Sequence, residues 1–123
     1  MVQERVGPGV ELLVGARRDE VFGPVVVVGV GGVLTEVLRD VSVRLAPLGE
    51  GEAAAMLEEG ARPRLLAGPR GLRPVERGAL VGVIEAIGGL ITAQPRIAEI
   101  DVNPLIAAGA DLIAVDAVVI VGA

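Results

Sequence analysis

A chain of 123 residues with sixteen acids, eleven bases and no histidine carries a formal net charge of −5, which argues against a nucleic-acid partner, because neutralising phosphates takes clustered positive charge. Every base is arginine and cysteine is absent, so the chain offers no lysine for a phosphate or a Schiff base, no thiolate, no disulfide and no imidazole. The length suits one domain with a real core, and with hydrophobic residues at 52% but aromatics at 1% that core has to be built from Val, Leu, Ile and Ala.

Met1 to Arg5 lacks the apolar core of a signal peptide. Later apolar runs are broken by glycines and acids before reaching the ~18 residues of a membrane helix, so a cytoplasmic protein with no membrane partner is expected. Val10 to Gly15 reads as a strand, Arg17 to Glu20 as a polar turn, and Pro24 to Gly29 as a second strand, apolar on both faces. Glu11 sits among apolar neighbours in the first strand, either as a solvent-face acid or pointing into a polar cleft. Gly29-Val30-Gly31-Gly32 then leaves the second strand. Glycines there let backbone N–H groups approach an anion. The run equally suits a turn or bulge, and it lacks the later glycine and the context of a dinucleotide fingerprint.

Asp40 to Leu48 resumes as a strand that carries Arg44 between apolar residues, snorkelling to solvent or clamping a phosphate or carboxylate. Glu50 to Glu59 reads as a short helix with acids in its first turn. Arg62 to Arg73 reads as a connection whose four arginines form a solvated loop or an anion-binding surface. Beyond Pro74, a long helix from about Val75 to Thr92 presents Leu80, Ile84, Ile87 and Ile91 as one stripe. Gly78, Gly82, Gly88 and Gly89 each weaken it by ~1 kcal/mol relative to Ala, so it is expected to lie close against a sheet.

The chain closes on Glu99-Ile100-Asp101-Val102-Asn103-Pro104-Leu105 and the run Leu112 to Ala117. If these are the arms of a hairpin turning near Gly109, Asn103 lies almost opposite Asp116, with Asp101 two residues back on the same face. Opposed residues have Cβ atoms only ~4.5–5.5 Å apart, so two or three oxygens converge, a donor set suited to magnesium. Acids and Asn beside Pro serve turns equally well on spacing alone. The fold class is α+β: an antiparallel sheet packed against two or three helices, in the order ββ–β–α–α–ββ, as a single domain over 1–123 with its core at about 9–121.

The terminal run and the following Ala114-Val115-Asp116-Ala117 resemble the end of the ATP-grasp domain of NDP-forming acyl-CoA synthetases, relatives of the succinyl-CoA synthetase β subunit. In the same order, Val10 to Gly15 with Asp19, Phe22-Gly23-Pro24-Val25, Gly29 to Gly32 with Glu36, Asp40-Val41-Ser42, Arg44 to Leu48, and Gly68-Pro69-Arg70-Gly71 resemble that family. The resemblance runs from about Gly9 to Ala117.

It implies the second ATP-grasp subdomain of an enzyme that converts acid, CoA and ATP to acyl-CoA, ADP and phosphate through an acyl phosphate and a phosphohistidine. It implies ATP and Mg²⁺ as cofactors held between two subdomains, with Asn103, Asp116 and Asp101 at the metal. It places Gly31 and Gly32 in a loop facing phosphoryl transfer, and Glu11 and Arg44 among the polar groups lining the cleft. Partners are then the other ATP-grasp subdomain and CoA-binding and ligase domains or subunits, so the isolated chain is expected to be inactive. The rival expectation is a non-catalytic interaction or regulatory module that keeps the fold and associates with itself or another protein through an apolar face.

Overall fold

The computed structural model describes residues 9–31 and 40–122. Period-two alternation builds its first strand: in β1 (Val10–Asp19), Val10, Leu12, Val14 and Ala16 are buried on one face, while Glu11 and Arg17 are exposed on the other. β2 (Gly23–Val30) returns antiparallel, with Asp19 opposite Gly23 across a three-residue turn, and β3 (Val41–Leu45) pairs its far edge. Asp19 Oδ1 accepts the N–H groups of Val21 and Phe22 at 2.8 and 3.0 Å. The carboxylate thus closes the turn in place of backbone.

Two five-residue helices follow, α1 (Glu52–Met56) and α2 (Arg62–Leu66), then a 3₁₀ turn at Pro69–Gly71 and α3 (Arg77–Ala93). The final strands are β4 (Ile97–Ala108), β5 (Asp111–Ala114) and β6 (Ala117–Val121). The sheet runs β3-β2-β1-β4-β5, with β6 also paired to β4. β4 therefore carries β1 on one edge and β5 and β6 in succession on the other.

The helices cover one face. Leu80, Ile84, Ile87 and Ile91 of α3, all buried, meet Leu12, Val14, Val26, Val28 and Ile100, and Met56, Leu57 and Leu66 complete an aliphatic core. The stripe expected from the sequence is the one that packs. Among the described residues no helix is long and apolar enough to cross a membrane.

Four local expectations change. Arg17 to Asp19, expected in a polar turn, continue β1 because they pair with Gly23 to Val25. The first short helix is trimmed to Glu52–Met56. The stretch from Arg62, expected as a connection, opens with α2, whose early Pro63 suits a first helical turn and whose Leu66 is buried in the core. The return arm of the terminal hairpin is two strands, because pairing is interrupted at Val115 and Asp116.

The glycines of α3 divide. A Cβ on Gly88 would stand 3.2 Å from Val26 Cγ2, so that glycine lets the helix approach the sheet, whereas Gly78, Gly82 and Gly89 have nothing within 4 Å. The helix lies against the sheet as expected, and Gly88 is the glycine of the four at which that contact is made. At the end of α3, Arg18 donates from Nε to Ile97 O at 2.8 Å and from Nη2 to Gln94 O at 2.8 Å and to Ile91 O. A cation thus satisfies carbonyls the helix leaves unpaired.

Gly82→Ala and Gly89→Ala should each stabilise the chain by up to ~1 kcal/mol, a rise of up to about 4 °C in the melting midpoint of a domain this size. Gly88→Ala, pressed against Val26, should gain less. Equal gains at all three positions in a thermal melt would contradict the packing described.

Candidate functional site

The helices leave the other sheet face open. By register, Leu13 stands opposite Gly29, Gly15 opposite Val27 and Arg17 opposite Val25, and across the other edge of β1 Gly15 meets Asp101 and Arg17 meets Glu99. A hollow of about 270 Å³ lies on this face, lined among others by Leu13, Gly15, Arg17, Glu99, Asp101 and Asn103. Its floor is the missing side chain of Gly15, where a Cβ would stand 2.6 Å from Ile100 O.

One irregularity shapes the rim. Leu12 pairs with Leu105 and Val14 with Val102, so β4 takes three steps where β1 takes two. The extra residue falls in Asn103-Pro104. Proline lacks the N–H a regular ladder needs and is found at such bulges, which re-aim neighbouring side chains. On the far edge, Asn103 N–H donates to Asp116 O and Val115 N–H to Pro104 O, each at 3.1 Å. Asn103 and Asp116 are therefore opposed as the hairpin reading expects, with the turn at Gly109, whose φ is +59°. Asn103 and Asp116 are exposed and Asp101 is half-buried.

Among the described residues no three His, Cys, Asp or Glu groups converge. The set at the hairpin mouth is two carboxylates and the Asn103 amide. All its donors are oxygen, the chemistry a hard divalent cation takes.

The remaining expected site residues lie elsewhere. Glu11, exposed, lines a second hollow of about 200 Å³ with Gly31, Val30, Leu65 and Leu72. Gly31 N–H donates to Glu11 O at 2.9 Å, extending the β1–β2 ladder, and a Cβ there would lie 2.9 Å from Leu12 O. Sheet packing accounts for that glycine, and its N–H is not free for a transferred group. Gly32 and Glu36 lie outside the described residues.

Arg44 is separated from the open face. It stands opposite Val26, a core residue, and its Nη2 binds Glu59 Oε2 at 2.5 Å on the helix side. Nor does Arg62 contribute to an anion-binding surface. It is 1% exposed, donates to Val28 O at 3.1 Å and Ser42 Oγ, and pairs with Asp40 Oδ1 at 3.2 Å. Burial pulls its guanidinium below its ordinary pKa, against the pull of Asp40 and Glu59. Arg73 pairs with Asp111 at 3.0 Å.

The charges of the open face behave differently. Among the described residues none of Glu11, Arg17, Glu99, Asp101 or Asp116 enters an ion pair. Gly15, Arg17 and Glu99 were not singled out from the sequence. The available signals were an isolated glycine within a strand and charges two residues from it and from Asp101.

The family model described as an ATP-grasp domain matches residues 1–121. The β subunit of acetate–CoA ligase [ADP-forming] I from Pyrococcus furiosus is 45% identical over 109 residues, 89% of this chain and 47% of that one. Acetate–CoA ligase [ADP-forming] I from Archaeoglobus fulgidus is 41% identical over 105 residues, 85% of this chain and 15% of that one. Acetyl-coenzyme A synthetase 1 of Ca. Korarchaeum cryptofilum, solved with coenzyme A and Mg-AMPPCP, superposes with a TM-score of 0.87 at 43% identity, covering 94% of this chain and 55% of that one. The chain thus spans about half the length of the β subunit and of the solved chain.

Glu59 is held below the ordinary glutamate pKa, chiefly by the Ser42 hydroxyl and then by Arg44. A depressed folded-state pKa contributes stability above the ordinary glutamate value that is lost as pH falls through the folded value. Acid titration below about pH 4.5 should therefore loosen the contact between β3 and the segment after α1. Glu59→Gln should flatten that limb of the stability–pH curve, and an unchanged limb would contradict the pairing.

Proposed function

We propose that this chain, which belongs to the ATP-grasp domain family, is the metal-binding half of the nucleotide cleft of an ADP-forming acyl-CoA synthetase, acting on acid, CoA and ATP only when the rest of the enzyme completes it. The observation that carries this is the backbone opposition of Asn103 and Asp116, with Asn103 and Asp101 lining the open-face hollow. The family and the Mg-AMPPCP held by the Korarchaeum relative raise that donor set above an ordinary hairpin mouth.

Asp101, Asn103 and Asp116 would hold Mg²⁺, which usually takes one or two carboxylates and keeps its other positions for water and phosphate. When bound, the ion supplies neutralisation of charge on the transferring phosphoryl group. The chain's own work is positioning. The two-sided pairing of β4 fixes Asp101 and Asn103 on a rigid strand, and Gly15 lets β1 and β4 approach closely beside them. Lysine and histidine are absent from the chain, so a phosphate-binding ammonium and a phosphorylated imidazole must come from other domains or subunits.

A second reading, a protein-interaction module that keeps the fold without the chemistry, draws on exposed apolar surface. Val41, Val43 and Leu45 are 43–56% exposed, and Val118 to Val121 are 46–57% exposed. A completed cleft would cover part of that surface as well, so metal binding separates the two readings.

Free Mn²⁺ measured by electron paramagnetic resonance should fall on adding the chain. Asp101→Asn and Asp116→Asn should each weaken the binding by roughly tenfold or more, since losing a ligand costs at least as much as losing a group that only orients one. Retained affinity in both variants would overturn the assignment. The isolated chain should make no acyl-CoA, and synthesis by pure protein would overturn its incompleteness.

A further inference from the structure

The open-face hollow has a cationic end that the metal does not account for. Arg17 lines it, two residues along β1 from Gly15, so its Cα lies about 6.7 Å along the strand from the position opposite Asp101. Its cross-strand neighbour is Glu99, yet no ion pair joins them. Three other arginines packed on the sheet are committed: Arg18 to the end of α3, Arg44 to Glu59, Arg62 to Asp40 and Ser42. Arg17 is exposed and enters no hydrogen bond or ion pair among the described residues, and it shares the lining of the hollow with Gly15, Asp101 and Asn103.

Asp101, without an ion pair among the described residues, repels a bare polyphosphate at one end of the hollow, and the Arg17 guanidinium, across from Glu99, attracts it at the other. The hollow as a whole therefore matches a ligand that brings a divalent cation to Asp101 and Asn103 and an uncompensated anionic oxygen to Arg17. A metal-bound nucleoside polyphosphate has both. We infer that Arg17 is a nucleotide-binding residue of this half-site, contacting a phosphate oxygen of the metal–nucleotide complex rather than the metal. The inference rests on the metal assignment to Asp101, Asn103 and Asp116 proposed above. The guanidinium fork suits phosphate bidentately, which an ammonium does not reproduce.

The test compares Mn²⁺ alone with Mn²⁺–ATP on the full chain and its Arg17→Met and Arg17→Lys variants, read by electron paramagnetic resonance and by ATP-dependent calorimetry. Arg17→Met should leave the affinity for Mn²⁺ alone unchanged and weaken Mn²⁺–ATP by roughly tenfold, the scale of one hydrogen bond to a charged group. Arg17→Lys should recover part of that loss. Wild-type affinity for Mn²⁺–ATP in Arg17→Met, with Asp116→Asn still defective, would overturn the role of Arg17 and leave the metal site standing. Equal weakening toward Mn²⁺ alone and Mn²⁺–ATP would also overturn it, as a loss through fold or metal site. A wild-type chain that binds no Mn²⁺ would overturn the metal assignment and this inference with it.

Discussion

Strand β4 is the constraint on which the molecule depends. Its twelve residues pair with β1 along one edge and with β5 and β6 along the other, so nearly every backbone group it carries is spoken for. A strand held on both sides can tolerate an extra residue only as a local bulge. Here that residue falls where Pro104 has no N–H to place. Against β1 the irregularity falls at the Asn103-Pro104 step, and what it produces is a rim carrying Asn103, with Asp101 two residues before it and Asp116 across the pair. Ile100 and Leu105, either side of the bulge, both remain in the core.

The two faces of the sheet resolve their charges in opposite ways. On the covered face, charge is admitted only when paired. Arg62 is nearly fully buried and survives because Val28 O, Ser42 and Asp40 surround it, as a buried cation requires. Arg44 and Glu59 complete the same group at the edge of α2. On the open face, Glu11, Arg17, Glu99, Asp101 and Asp116 enter no ion pair among the described residues. An arrangement of that kind gives little to folding and is suited to a ligand bearing complementary charge. Stability and ligand chemistry thus divide between the two sides of one sheet, and the alternation of β1 allots its side chains to each.

The elements that depend on local pattern were legible. The buried stripe of α3 follows from 3.6-residue periodicity, the first hairpin from alternation and turn residues, and the opposition of Asn103 and Asp116 from two apolar runs around Gly109. What depends on long-range placement was not. Arg44 reads as a strand arginine in either direction, and only its register against Val26 puts it on the helix side. Arg62 looks like one of four loop arginines, because nothing local reveals that Ser42 and Asp40 will enclose it. Gly31 reads as a ligand-facing glycine, whereas the nearness of Leu12 explains it. Gly15 and Arg17 drew no notice, since a hollow on a sheet is a property of neighbouring strands rather than of one. The family resemblance carried most of the functional expectation, and the matched family agrees with it. The division of the site residues among two hollows and two faces came only from the fold.

The central claim is that a preformed metal half-site sits on the open face of this chain. Paramagnetic broadening by Mn²⁺ in amide-resolved NMR spectra, recorded with and without ATP, tests it most directly. The account predicts selective broadening at Asp101, Asn103 and Asp116 and their strand neighbours, intensified by ATP, while amides near Glu58, Glu59 and Asp111 stay sharp. Diffuse broadening over all surface acids, indifferent to ATP, would contradict it.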